Sequence, residues 1–290
     1  VLTKDGKMQS IFNYNTLNAT LKRETRTLLI ELNSNETNAI SMEMLFELES
    51  LLAWTSDKVD IHSILFKSEK GFFSSGHNPN ILKEQTQTQI EKMTQKLQKL
   101  VQALLHLPQT VVFDMGHGAS NIGAELSVGA DIRIAHIDCK VNFNHSKLGL
   151  VPSSCGMSAF SIIIGQANAR NFLLSGKTIP FNHLINSGFV FETYKDEERE
   201  EVTNNLLNSI HEQAPVQRIQ TKFGIFENIR ESFEYSMKIE KQVSKAALMT
   251  EDWKSSKYVT KTKEDSFMPS KSMSYTVKLS LVKDEPTPFN

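Results

Sequence analysis

Cysteine is nearly absent from this chain of 290 residues: Cys139 and Cys155 are the only two, and their spacing is not that of a metal site. A pair of reduced thiols is the expectation, which suits a cytoplasmic protein. Net charge is nearly absent too, at −1, so neither nucleic acid nor an anionic membrane surface is an expected partner. No apolar run approaches the roughly 18–20 residues that a membrane-spanning helix needs. The first residues, VLTKDGKMQS, lack the basic-then-apolar profile of a signal peptide. Glycine is thin as well, with 13 residues, where an average of about 7% would give more.

What is present is an ordinary globular composition, 39% hydrophobic and 22% charged, in a chain long enough to bury a sizeable core. Residues 16–33 read as two strands around a charged turn. Ser41 stands where it would cap a helix whose apolar face is Met44, Leu45, Leu48, Leu51 and Leu52. A strand is expected over 61–68, a small-residue loop over 69–82 and a long amphipathic helix from about Gln85 to Leu107, stopped by Pro108. Strands are expected again over 110–115, 131–136 and 188–193, with helices over 157–164 and 166–175. The alternation argues for an α/β fold with crossover connections. From Asp196 to about Lys257 the pattern is helical with Pro215 as its break, and from Val259 onward it has no steady period and reads as an arm or tail.

Generic catalytic signatures fail. There is no Gly-x-Ser-x-Gly elbow and no Walker A sequence, "GHGASN" puts Asn121 where a dinucleotide fingerprint needs its third glycine, and no histidine pair has zinc spacing. One stretch stands out, "GASNIGAELSVGAD" (118–131), in which the lone carboxylate Glu125 sits among small and apolar residues just after an apolar run.

A series of segments in order, "NETNAISMEMLFELESLL", "FFSSGHNPNIL", "VVFDMGHGASNIGAELSVGADIRIA", "KLGLVP" and "ARNFLLSGKTI…NSGFV", resembles the crotonase superfamily of enoyl-CoA hydratases and isomerases over about residues 17–258. The resemblance implies a spiral of ββα units over 1–195, a C-terminal helical oligomerisation region over 196–258, the tail over 259–290, and a homotrimer or dimer of trimers. It implies an acyl-CoA thioester as substrate, with coenzyme A part of that substrate and no metal or redox cofactor. The family's shared chemistry is stabilisation of a thioester enolate by two backbone N–H groups, and preorganised donors of this kind are commonly the largest single catalytic contribution. Matched to the family's pattern, the donors fall on His77 and Ile122, the acid/base on Glu125, and substrate contacts on Ser75, Gly76, Asn78 and Gly123.

The chain departs from the pattern at several points. The family's glycine triplet is here Asn121-Ile122-Gly123, and the stretch before it, "MGHGAS", is about two residues longer than usual. The position of the second carboxylate of hydratases falls on His145, and imidazole can serve as acid or base. The "GH" at 76–77 is similar to that of the methylmalonyl-CoA decarboxylases, although the Asp that usually follows is Asn78. His117 reads as a loop histidine. The leading expectation is an acyl-CoA enzyme of the hydratase/isomerase group that uses Glu125, with His145 as a second proton-handling candidate. Decarboxylation, thioester hydrolysis and an acyl-CoA-binding oligomer without turnover stand as alternatives.

Overall fold

The computed structural model describes residues 12–255. The hairpin β1 (Leu17–Lys22) and β2 (Thr27–Leu32) is followed by α1 (Met42–Thr55), whose first turn is capped by the Ser41 hydroxyl accepting from the Met44 amide at 3.1 Å. Next come β3 (Ser63–Lys67), the short α2 (Pro79–Glu84) and the long α3 (Gln87–His106), which Thr86 and Gln89 start with a reciprocal capping box. The region expected as a loop over 69–82 therefore ends in a helix: Asn78 caps it and Pro79 supplies its first residue, where a missing N–H costs nothing.

β4 (Thr110–Asp114) leads into β5 (Gly118–Ser120), α4 (Ile122–Ser127), β6 (Ile132–His136) and β7 (Lys140–Asn142). Then follow a 3-10 turn at His145–Leu148, α5 (Ser158–Ile164), α6 (Gln166–Ser175), α7 (Phe181–Asn186) and β8 (Glu192–Tyr194). α8 (Arg199–His211), α9 (Pro215–Glu227), α10 (Arg230–Leu248) and a 3-10 turn at Asp252–Lys254 complete the described chain. The strand expected over 188–193 is displaced to 192–194, where Glu192, Thr193 and Tyr194 stand in register with Ile134, Ala135 and His136 of β6. The helical region breaks between α9 and α10 as well as before Pro215, and the tail expected over 259–290 lies outside the described residues.

The main sheet has the order β1-β2-β3-β4-β6-β8, antiparallel only at the hairpin. Its central strands carry apolar residues on both faces, as strands covered on both sides must. One face holds the main core with α1, α3 and α4, and on the other Leu206, Leu207 and Ile210 of α8 pack against Leu65, Val112, Ile134 and Tyr194. The local sequence pattern did not announce the second, two-stranded sheet of β5 and β7. Its strands approach closely at Gly118, where φ is +134° and a Cβ would overlap the Lys140 carbonyl. No helix among the described residues is long and apolar enough to cross a membrane.

Candidate active site

The small sheet organises the site. β5 hands the chain to α4 at Asn121, whose amide donates to the Asn142 carbonyl at the end of β7 (2.9 Å). One turn into α4 stands Glu125, and three residues after Asn142 stands His145. On the other flank the loop 72–77 is threaded between segment 37–40 and β5: Ser75 donates to Thr37 at 3.0 Å, and Ser120 donates to Ser74 at 3.0 Å. This brings Gly76 and His77 against Asn121.

Glu125 and His145 are both 1% exposed, and Nε2 of His145 lies 3.0 Å from Oε2 of Glu125. The other carboxylate oxygen accepts the amides of Ser154 (2.8 Å) and Gly156 (3.1 Å). A buried carboxylate is tolerated only when its lone pairs are engaged, and here both oxygens are. With Glu125 ionised, Nε2 of His145 is the donor, so Nδ1 carries the lone pair in the neutral ring. That Nδ1 is buried and has no hydrogen-bond partner.

The backbone amides of His77 and Ile122 converge on one oxygen, the carboxamide Oδ1 of Asn121, at 2.6 and 2.9 Å. The Asn121 carboxamide nitrogen donates to the Ser75 carbonyl at 3.2 Å. Ser75 thus contributes main-chain atoms, while Asn78 spends its side chain capping α2. Gly123 packs so closely on Ser74 that a Cβ would press on its side chain. The His77 imidazole is buried beside His145, and burial above all pushes it down to about 3, so it is neutral at physiological pH.

A cavity of about 10 Å³ is lined by His77, Ile122, Glu125, His145, Leu150 and Leu248, among others, a volume on the order of a single water. A groove of about 170 Å³ runs on the outer side of His77, along Ala39, Ser41, Asn78, Ile81 and Gln85.

Two participants escaped the sequence reading. One is the side chain of Asn121. The other is Glu240 of α10, 1% exposed, which accepts from the amides of Cys155 (2.7 Å), Met157 (2.8 Å) and Ser158 (2.5 Å). Successive amides of 154–157 therefore alternate between Glu125 and Glu240, and the two carboxylates grip one loop. A signal for Glu240 existed, since it follows the apolar Phe233 and Met237 at helical spacing on the buried face of α10.

His117 stands away from the Glu125 pair and meets His136 and Asp196 in a cluster whose polar atoms lie within 4.8 Å of one another. Nδ1 of His136 accepts from the Asp138 amide at 3.1 Å, which puts the ring proton on the Nε2 that faces Asp196. The His117 and His136 rings lie with centroids 4.1 Å apart, and their Nε2 atoms stand 3.8 and 3.7 Å from Asp196 Oδ1; a metal would need the lone pair of the His136 nitrogen that carries the proton.

Comparison with known proteins matches residues 22–267 to the enoyl-CoA hydratase/isomerase family. The probable enoyl-CoA hydratase of Bacillus subtilis is 28% identical over 222 residues, spanning 75% of this chain and 85% of that protein. The ethylmalonyl-CoA decarboxylase of Danio rerio is 30% identical over 160 residues, 53% of this chain and 52% of that one. The crystal structure of enoyl-CoA hydratase from Bacillus halodurans superposes with a TM-score of 0.76 at 22% identity, over 83% of this chain and 98% of that one. The spiral core, the order of its motifs and these matches lead to one assignment: the chain belongs to the enoyl-CoA hydratase/isomerase family and has the crotonase fold.

Proposed function

We propose that the protein binds an acyl-CoA thioester, holds its enolate oxygen against the amides of His77 and Ile122, and moves the proton with Glu125 and His145 acting as one unit. The observation that carries this reading is the convergence of two buried amides on a single sp2 oxygen, beside a cavity that His145, whose Nδ1 has no hydrogen-bond partner, also lines. Two amides 2.6 and 2.9 Å from one oxygen are spaced as an oxyanion site requires. Glu125 has its oxygens engaged, so it orients His145, and Nδ1 is the atom that exchanges a proton with the α-carbon or with water. The groove beside His77 and Asn78 suits the coenzyme A portion, and Ser75, Gly76 and Gly123 shape the thioester end. An enolate held by amides needs neither a metal nor a redox cofactor. Val216, Phe223 and Ile225, exposed on α9, support the homotrimer or dimer of trimers that the family resemblance implies.

Decarboxylation is the second reading. It needs only enolate stabilisation and a single proton donor, and the site has one proton-exchanging atom where two-carboxylate hydration uses two groups. The assay that separates these readings follows a short enoyl-CoA by the loss of its conjugated-thioester absorbance, with an alkylmalonyl-CoA in parallel. Loss of the first that vanishes in His145→Ala supports hydration, and thioester retained with carbon dioxide released from the second supports decarboxylation. Binding of both without turnover of either would sink the enzymatic reading.

A further inference from the structure

The oxygen on which the two amides converge belongs to the protein itself. Asn121 stands where the family pattern has a glycine, its backbone holds φ +38° and ψ −118°, and no left-handed conformation of this kind is comfortable for a side-chain-bearing residue. The conformation persists because the carboxamide is fixed at both ends, by His77 and Ile122 donating to its oxygen and by its nitrogen donating to Ser75. Gly76 leaves room for it, since a Cβ there would overlap Asn121 Oδ1. The group is 5% exposed and fills the space that a carbonyl oxygen of similar shape, charge and hydrogen-bonding capacity would need.

We infer that the Asn121 carboxamide is a built-in competitor for the acyl carbonyl. This inference rests on the acyl-CoA reading above and deepens it. The unliganded protein keeps both amides satisfied, and a thioester reaches them only when the Asn121 side chain rotates out. A neutral thioester carbonyl then merely replaces one neutral acceptor with another and gains little. An enolate oxygen carries negative charge and accepts roughly twice as strongly, so it displaces the carboxamide where the ground-state carbonyl does not. Asn121 thereby sets selectivity: ground-state thioesters bind weakly, and binding energy is reserved for the charged state along the reaction.

The test compares wild type with Asn121→Gly, which removes the competitor and relieves the backbone, and with Asn121→Asp, which keeps the shape and puts a carboxylate on the same two amides. Binding of butyryl-CoA and of free coenzyme A is measured by calorimetry, α-proton exchange of butyryl-CoA in deuterated buffer by NMR, and folding of each protein by thermal melting. The expected result is that Asn121→Gly binds butyryl-CoA about tenfold more tightly, Asn121→Asp binds it more weakly at neutral pH, and free coenzyme A binds all three alike. Equal affinity of wild type and Asn121→Gly for butyryl-CoA, with α-proton exchange in both, overturns the competitor and leaves the enzymatic reading standing. Tighter binding by Asn121→Gly without exchange in any of the proteins supports the competitor and overturns turnover. Failure of every folded protein to bind butyryl-CoA overturns both. If Asn121→Gly does not fold, the comparison of wild type with Asn121→Asp decides, and unchanged affinity there overturns the inference.

Discussion

His145 reaches Glu125 across 20 residues of sequence, Nε2 to Oε2 at 3.0 Å, and the carboxylate's other oxygen is held by two amides of the loop 154–156. The geometry dictates what Glu125→Gln does. The amides of Ser154 and Gly156 require an acceptor, so the new carboxamide presents its oxygen to them and its NH2 to His145. Nε2 must then accept, and the ring proton moves to Nδ1, which changes from lone pair to donor. Enzymatic turnover is expected to fall about 10³–10⁴-fold with the fold retained, the size of effect seen when a supporting carboxylate is replaced and the wrong tautomer results. Steady-state kinetics beside a thermal melt checks it; a variant within tenfold of wild type would show that Nδ1 is not the proton-exchanging atom.

Glu240 makes stability depend on pH. Burial, and after it the charge of Glu125, raises its carboxyl to about 7, and the amides of Ser158 and Cys155 offset this only in part. The folded carboxyl binds its proton more tightly than the unfolded one, so its favourable contribution is full below about pH 4.5 and is lost as pH rises through 7. The loss amounts to at most about 3 kcal/mol. Relative to Glu240→Gln, the wild-type melting temperature is expected to fall between pH 5 and 8, and parallel curves for the two proteins would refute the assignment.

Asp114 ends β4 and ties three elements together. It accepts from Arg199 Nε at 2.7 Å, from the Gly116 amide at 3.0 Å and from the Tyr194 hydroxyl. It is 2% exposed, so Asp114→Ala takes the acceptor from Arg199 Nε and from a buried phenol, while the guanidinium keeps the Ser68 carbonyl at 2.8 Å and Glu69 at 3.5 Å. Chemical denaturation is expected to show a loss of about 3 kcal/mol, against about 1 kcal/mol for Tyr194→Phe, which removes one hydrogen bond. Equal losses would mean that the ion pair contributes nothing beyond the phenol contact.

Both thiols are free and buried. Burial pushes Cys139 up to about 12 and Cys155 well above its ordinary value, so neither forms the thiolate that reacts. Native protein at pH 8 is expected to resist iodoacetamide and to react at both positions after unfolding in denaturant, as mass spectrometry would count. Modification of the folded protein would place a thiol at the surface.

Much of this architecture is written in local patterns. The alternation of 16–33, the capping position of Ser41, the period of α3 and its stop at Pro108 need only neighbouring residues to specify them, and each is found within a few positions of its expected place. The shifts are also physical: β8 lies where its residues stand in register with β6, and α2 emerged because Asn78-Pro79 both ends a loop and starts a helix. The family resemblance located Glu125, His145, His77 and Ile122 in order along the chain without saying what any of their atoms would meet.

Those meetings are contacts across long stretches of chain. The His77 amide finds the Asn121 oxygen over 44 residues, and the Cys155 amide finds Glu240 over 85. Asparagine at 121 is legible in the sequence as a departure from the family's glycine triplet, but the aim of its carboxamide depends on where loop 72–77 is pinned against β5. Glu240 is legible as a carboxylate on an apolar stripe, but its partners depend on how α10 packs beside α5. By itself the sequence determined which segments coil or extend and which side chains carry chemistry, because those depend on neighbours along the chain. The tertiary structure alone decided that Asn121 covers the amides, that Glu125 meets His145, and that a second carboxylate holds the same loop as Glu125. Each of these is a hydrogen bond made in the interior, where an unmet donor or acceptor is costly and packing selects its partner.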